Sequence, residues 1–126
     1  MTLKTICIID DDPIYQLITK KIIEKNNLFA DRQSFTDGFD ALHFFREQKS
    51  IPDIILLDIE MPSIDGWDFL DEFCELKKDF DKKIHIYVIS SSIAKEDIEK
   101  AITYDCISGF ISKPINLEKL RKIANS

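Results

Sequence analysis

The chain has 126 residues, 44% of them apolar, and a formal charge of -6, which suits a single globular domain, residues 1–126, with no appended output domain. A pI near 4.9, with Lys and Arg scattered among acids, argues against nucleic acid as a partner, because neutralising phosphates needs a concentrated basic face. No apolar stretch is long enough to span a membrane and no signal peptide precedes the first apolar run, so a cytoplasmic chain with no membrane partner is expected.

In chain order, a first strand near Lys4 to Ile9 leads into a helix with Asp12 as N-cap, Pro13 in the first turn and an apolar face of Ile14, Leu17, Ile18 and Ile22. A weaker strand near Phe29 to Phe35 precedes a helix from about Asp37 carrying Phe39, Leu42 and Phe45. The third strand ends at Asp58 and is followed by the loop Glu60-Met61-Pro62-Ser63 and a helix with Trp67, Leu70, Phe73 and Cys74. A charged connection, Lys77 to Lys83, is expected to be solvent-exposed. The fourth strand, Ile84 to Ile89, precedes a helix with Ala94, Ile98, Ala101 and Ile102. A fifth strand near Ile107 to Ile111 leads to a last helix with Leu117, Leu120 and Ile123. This alternation predicts a doubly wound parallel sheet with helices on both faces.

Cys7 and Cys74 sit inside apolar patterns, Cys106 just precedes one, and no Cys-x-x-Cys pair exists, so three reduced cysteines are expected. His43 and His85 lack partner spacing for a metal, Trp67 belongs to an apolar helical stripe, and Gly38 and Gly66 form no glycine-rich phosphate loop.

The chemistry concentrates where apolar runs stop: Asp10-Asp11, Asp58, Ser90 and Lys113 each follow one. In a parallel sheet all carboxyl ends lie on one edge, where ligands bind. Three carboxylates, a hydroxyl and an ammonium brought together there make a site for a divalent metal and a phosphoryl group. Hard oxygen ligands with room for water and phosphate favour Mg2+.

Asp10-Asp11, Asp58 with Met61-Pro62 and Asp65-Gly66 behind it, Ser90, and Lys113-Pro114 together resemble the response-regulator receiver domain of two-component signalling, in its stand-alone chemotaxis form. The resemblance covers essentially the whole chain and implies a flavodoxin-like fold of five strands in order 2-1-3-4-5 with five helices. It implies that Asp58 is the phosphoacceptor, that Ser90 is the switch hydroxyl and that Lys113, joined to Pro114 by a cis peptide bond, contacts the phosphoryl group. It further implies that Asp10, Asp11, Asp58 and the backbone carbonyl of Glu60 hold Mg2+, and that Phe110 is the aromatic that turns inward on activation. The Glu60 side chain could also lie over the approach of hydrolytic water.

The implied donor is a sensor histidine kinase or a histidine phosphotransfer protein. The implied output is a protein target bound through the face made by helix 4, strand 5 and helix 5. Such a protein catalyses its own phosphorylation and a slow autodephosphorylation and is not a conventional enzyme. One rival is a haloacid-dehalogenase-type phosphatase, which needs a second Asp two residues after the nucleophile, where this chain has Glu60. The other is a receiver that binds protein without being phosphorylated.

Overall fold

The computed structural model describes residues 3–47, 50–61, 65–91 and 95–125. Pro62, Ser63 and Ala94, placed above in a loop and a helix, lie outside them. Strands and helices alternate as β1 (Thr5–Ile9), α1 (Pro13–Asn26), β2 (Asp31–Phe35), α2 (Gly38–Arg46), β3 (Ile54–Asp58), α3 (Gly66–Leu76), β4 (His85–Ser90), α4 (Lys95–Ile102), β5 (Ile107–Ser112) and α5 (Leu117–Ala124). The strands pair in parallel in the order β2-β1-β3-β4-β5.

β1 and β3 occupy the middle, with both faces covered, which is why Ile6 to Ile9 and Ile54 to Leu57 are apolar without alternation. Alternate residues feed two cores: Cys7, Ile9, Ile55 and Leu57 join Leu42, Phe45, Phe69 and Phe73 from α2 and α3. Ile6, Ile8, Ile54 and Leu56 join Ile23 of α1 and Leu120 and Ile123 of α5.

Three helices face differently from the pattern read in the sequence. In α1, Ile14, Leu17 and Ile18 are 68%, 50% and 44% exposed, while Thr19 and Ile23 are buried. The reason is Gln16, whose side-chain amide donates to the carbonyls of Ile8, Asp10 and Phe35 at 3.2, 3.2 and 3.0 Å. Satisfying those strand-end carbonyls turns Gln16, Thr19 and Ile23 to the sheet and the opposite, apolar face to solvent. In α2, Ala41, Leu42 and Phe45 are buried but Phe39 is exposed, because successive steps of three residues drift around a helix. In α4, Ala101 is buried and Ile102 is exposed, because adjacent side chains point about 100° apart around a helix.

The second strand begins at Asp31, two residues later than Phe29, which is buried ahead of it. The connection after α3 is only partly solvated: Lys77–Asp79 form one 3-10 turn, Phe80 packs on the core, and Lys77 Nζ donates to the Ile84 carbonyl at 3.1 Å. Cys7 is free and buried, but Cys74 and Cys106 are joined as a disulfide, contrary to the expectation of three reduced thiols. Their Cα atoms, at the end of α3 and just before β5, lie 6.2 Å apart, within bridging range.

Candidate functional site

Asp10 leaves the end of β1 and is fixed at both ends: its N–H donates to the Phe35 carbonyl at 3.0 Å and its Oδ1 accepts from Asp12 N–H at 2.9 Å. Asp12 in turn caps α1, accepting from Ile14 N–H at 2.9 Å ahead of Pro13. Asp58 is the last residue of β3, and its Oδ1 accepts from Glu60 N–H at 2.9 Å. The loop carrying Glu60 is held on both sides, by Ile59 N–H on the Ile89 carbonyl at 3.2 Å and by Gly66 N–H on the Ile59 carbonyl at 3.0 Å. A Cβ on Gly66 would lie 2.4 Å from Ile59 Cα, so only glycine permits this approach.

Lys113 enters from the end of β5, with its N–H on the Ser90 carbonyl at 2.9 Å and the Lys113–Pro114 peptide bond cis. The turn is further held by Lys119, whose Nζ donates to the carbonyls of Ser112 at 2.9 Å and Pro114 at 3.1 Å. The Lys113 ammonium bridges Asp10 Oδ2 at 3.2 Å and Asp58 Oδ2 at 3.3 Å, all three side chains being largely buried. It also lies 4.2 Å from the ring centroid of Tyr15. Ser90, the buried last residue of β4, donates from Oγ to Glu60 Oε1 at 2.7 Å.

Burial pushes the Asp58 carboxyl well above its ordinary pKa, and the neighbouring Asp10 carboxylate adds to the rise against the opposing Glu60 N–H and Lys113 ammonium. For Lys113, burial works against the charged form, but the Asp10 and Asp58 carboxylates outweigh it and hold its pKa above the usual lysine range. The site is therefore under mutual repulsion that one ammonium only partly relieves. Asp10, Asp11 and Asp58 each bring a carboxylate oxygen within 4.8 Å of the others, a hard-oxygen donor set that fits a small divalent cation. Asp12, committed to its helix cap, is not part of that group.

Sequence reading thus brings Asp10, Asp11, Asp58, Glu60, Ser90 and Lys113 to one sheet edge. It missed Tyr15, Gln16 and Lys119. Phe110 lies further back on β5, half-buried against the core shared with α2 and α3. Its facing depends on an irregularity in β5: Ile86 pairs with Ile107 but Tyr87 with Gly109, leaving Ser108 as an extra residue. That bulge puts Ile107 and Phe110, three residues apart, against the same core.

A model of the response regulator receiver domain matches residues 6–125. The chain is 29% identical to chemotaxis protein CheY of Halobacterium salinarum, over 88% of this chain and 85% of that protein. It is 35% identical to a protein-glutamate methylesterase/protein-glutamine glutaminase of Treponema denticola over 90% of this chain, but it spans only 29% of that protein's length. A crystal structure of a two-component response regulator from Cytophaga hutchinsonii superposes with a TM-score of 0.86 at 30% identity, covering 99% of this chain and 96% of that one. The chain belongs to the response regulator receiver domain family of two-component signalling, in its CheY-like, flavodoxin-fold form.

Proposed function

We propose that Asp58 accepts a phosphoryl group from a phosphohistidine donor and that the phosphorylated domain signals by binding another protein. The observation that carries this reading is the Asp58 carboxylate itself: buried at a strand end, one oxygen on Glu60 N–H, the other on the Lys113 ammonium, with two further acids beside it. An acid so placed contributes nothing to packing and costs folding free energy, an arrangement suited to in-line attack on a bound phosphoryl group.

In the transfer, an Asp58 oxygen forms a bond to phosphorus as the phosphorus–nitrogen bond of the donor imidazole breaks, the nitrogen keeping the electron pair. Lys113 supplies positive charge to the moving oxygens, and the fixed Glu60 N–H orients the carboxylate. Asp10, Asp11 and Asp58 would hold Mg2+, with the Glu60 carbonyl as a further ligand, and the ion would neutralise charge on the transferring group. Ser90 then donates to a phosphoryl oxygen. The change passes to Phe110 and to the face of α4, β5 and α5, where the target docks. With a kinase-linked donor the protein would work in the cytoplasm, a compartment where disulfides such as Cys74–Cys106 are uncommon.

The test is incubation with Mg2+ and acetyl phosphate followed by intact-protein mass measurement. Wild type gains one phosphoryl mass and Asp58→Asn does not. An undiminished adduct in the Asn variant refutes the assignment.

A further inference from the structure

Lys113 is a flexible side chain asked to hold one position in two different charge environments. In the structure its ammonium is held by Asp10 and Asp58 at 3.2 and 3.3 Å. Those are also two of the three carboxylates whose oxygens converge as a cation site. A divalent ion bound there would take over both partners and repel the ammonium, which would then gain rotamer freedom by leaving for solvent. The contact that does not compete with the ion is the face of Tyr15, 4.2 Å from Nζ to the ring centroid, a distance at which the negative face of an aromatic ring attracts a cation.

Tyr15 is well fixed for that task. It lies in the first turn of α1, after the Asp12 cap and Pro13, and immediately before Gln16, whose amide is tied to the carbonyls of Ile8, Asp10 and Phe35. The ring therefore moves with the ends of β1 and β2. Its neighbours Ile14, Leu17 and Ile18 face solvent, so the half-buried Tyr15 ring is the aromatic part of this turn that meets the site.

We propose that Tyr15 is a positioning residue for phosphoryl transfer, keeping the Lys113 ammonium over the site when its carboxylate partners are engaged by a metal. The proposal rests on Asp58 being the phosphoacceptor. It requires the ring and not the hydroxyl, so Tyr15→Phe should behave as wild type and Tyr15→Leu should not.

Two measurements test it. NMR of the Lys113 side chain reads the ring directly, because protons above an aromatic face resonate upfield. The shift should persist on adding Mg2+ to wild type and to Tyr15→Phe and vanish in Tyr15→Leu. A shift that disappears from wild type on adding Mg2+ overturns the proposal, whether or not any variant fails to fold. With acetyl phosphate at saturating Mg2+, Tyr15→Leu should form the adduct roughly 3- to 10-fold more slowly, the range of a partly desolvated cation–aromatic contact, with Tyr15→Phe within about twofold of wild type. Equal slowing in both variants, or none in the Leu variant, also overturns it. Failure of the phosphoacceptor reading is distinguished by Asp58→Asn gaining the adduct, whereas failure of this one leaves Asp58 essential and the Tyr15 variants unremarkable.

Discussion

Ser90 Oγ and Glu60 Oε1 lie 2.7 Å apart, with the serine hydroxyl donating to the carboxylate. A hydroxyl has one proton to give, so a Ser90 that serves Glu60 cannot at the same time serve a phosphoryl oxygen. The Glu60 carboxylate must also leave the neighbourhood of an incoming dianion.

Removing that competitor should favour the activated form. Glu60→Ala is expected to bind beryllofluoride, in the presence of Mg2+, at least about 3-fold more tightly than wild type, the scale of a hydrogen bond to a charged group after discounting for solvent access. Glu60→Gln should fall between the two. Titration followed by NMR checks this, and unchanged or weaker binding in the Ala variant means that Ser90 is not restrained by this contact.

The converging acids predict a metal preference among three consecutive aspartates. Asp10→Ala and Asp11→Ala should each weaken Mg2+ binding, measured by calorimetry, because both belong to the group whose oxygens lie within 4.8 Å. Asp12→Ala should leave Mg2+ affinity nearly unchanged and instead lower stability by about 1 kcal/mol through loss of the α1 cap. Equal loss of affinity at all three positions would contradict the geometry.

Acid repulsion at Asp58 also predicts a pH dependence. Burial raises its pKa from 3.8 to about 7, so over that interval the folded protein holds a proton that the unfolded chain has released. The contribution of this group to stability is therefore complete below the unfolded value and is lost as pH rises through the folded one. Without metal, thermal unfolding should show wild type losing stability across that window, and Asp58→Asn should flatten the loss. The variant should be the more stable at neutral pH by on the order of 1 to 3 kcal/mol, after discounting for screening at the site's open edge. Mg2+ should stabilise wild type more at pH 7.5 than at pH 5, as the Asp58 carboxyl ionises. A metal-free wild type at least as stable as Asp58→Asn at neutral pH would be incompatible with this balance.

Phe110 has space beside it, a cavity of about 230 Å³ lined in part by Ile98, Ala101 and Ile107. A beryllofluoride adduct should shift backbone NMR signals across residues 95–105 and 107–112 as well as at the site. Phe110→Ala should bind the adduct and lose most of the remote shifts. If wild-type shifts stop at residues touching the ligand, the domain carries phosphoryl groups without switching in this way.

The fold was legible because central parallel strands are covered on both faces, which makes runs such as Ile54 to Leu57 apolar throughout and makes Asp58 conspicuous at their end. Helix facing was less so. Apolar periodicity in α1 pointed to Ile14, Leu17 and Ile18, but the Gln16 amide turns inward instead, donating to the carbonyls of Ile8, Asp10 and Phe35. The bulge at Ser108 breaks the alternation, and its one mark in the sequence, Gly109 inside the strand, does not say which way Phe110 faces. Cys74 and Cys106 are separated by 32 positions in sequence, and nothing local announces that α3 and β5 bring them together. Tyr15 was invisible for a similar reason, since its partner lies at the other end of the chain.

Trp67, the one tryptophan of the chain, stacks on Tyr104 at 5.6 Å with an interplanar angle of 23°, and Lys100 Nζ lies 5.0 Å from its ring. It thus sits where α3 meets the end of α4, against aromatic and cationic neighbours that alter indole emission when they shift. The protein carries its own optical probe of that junction. Its fluorescence reads the packing of α4 against the body of the domain, so a metal that fills the acid cluster without moving α4 should leave the emission dark to its arrival.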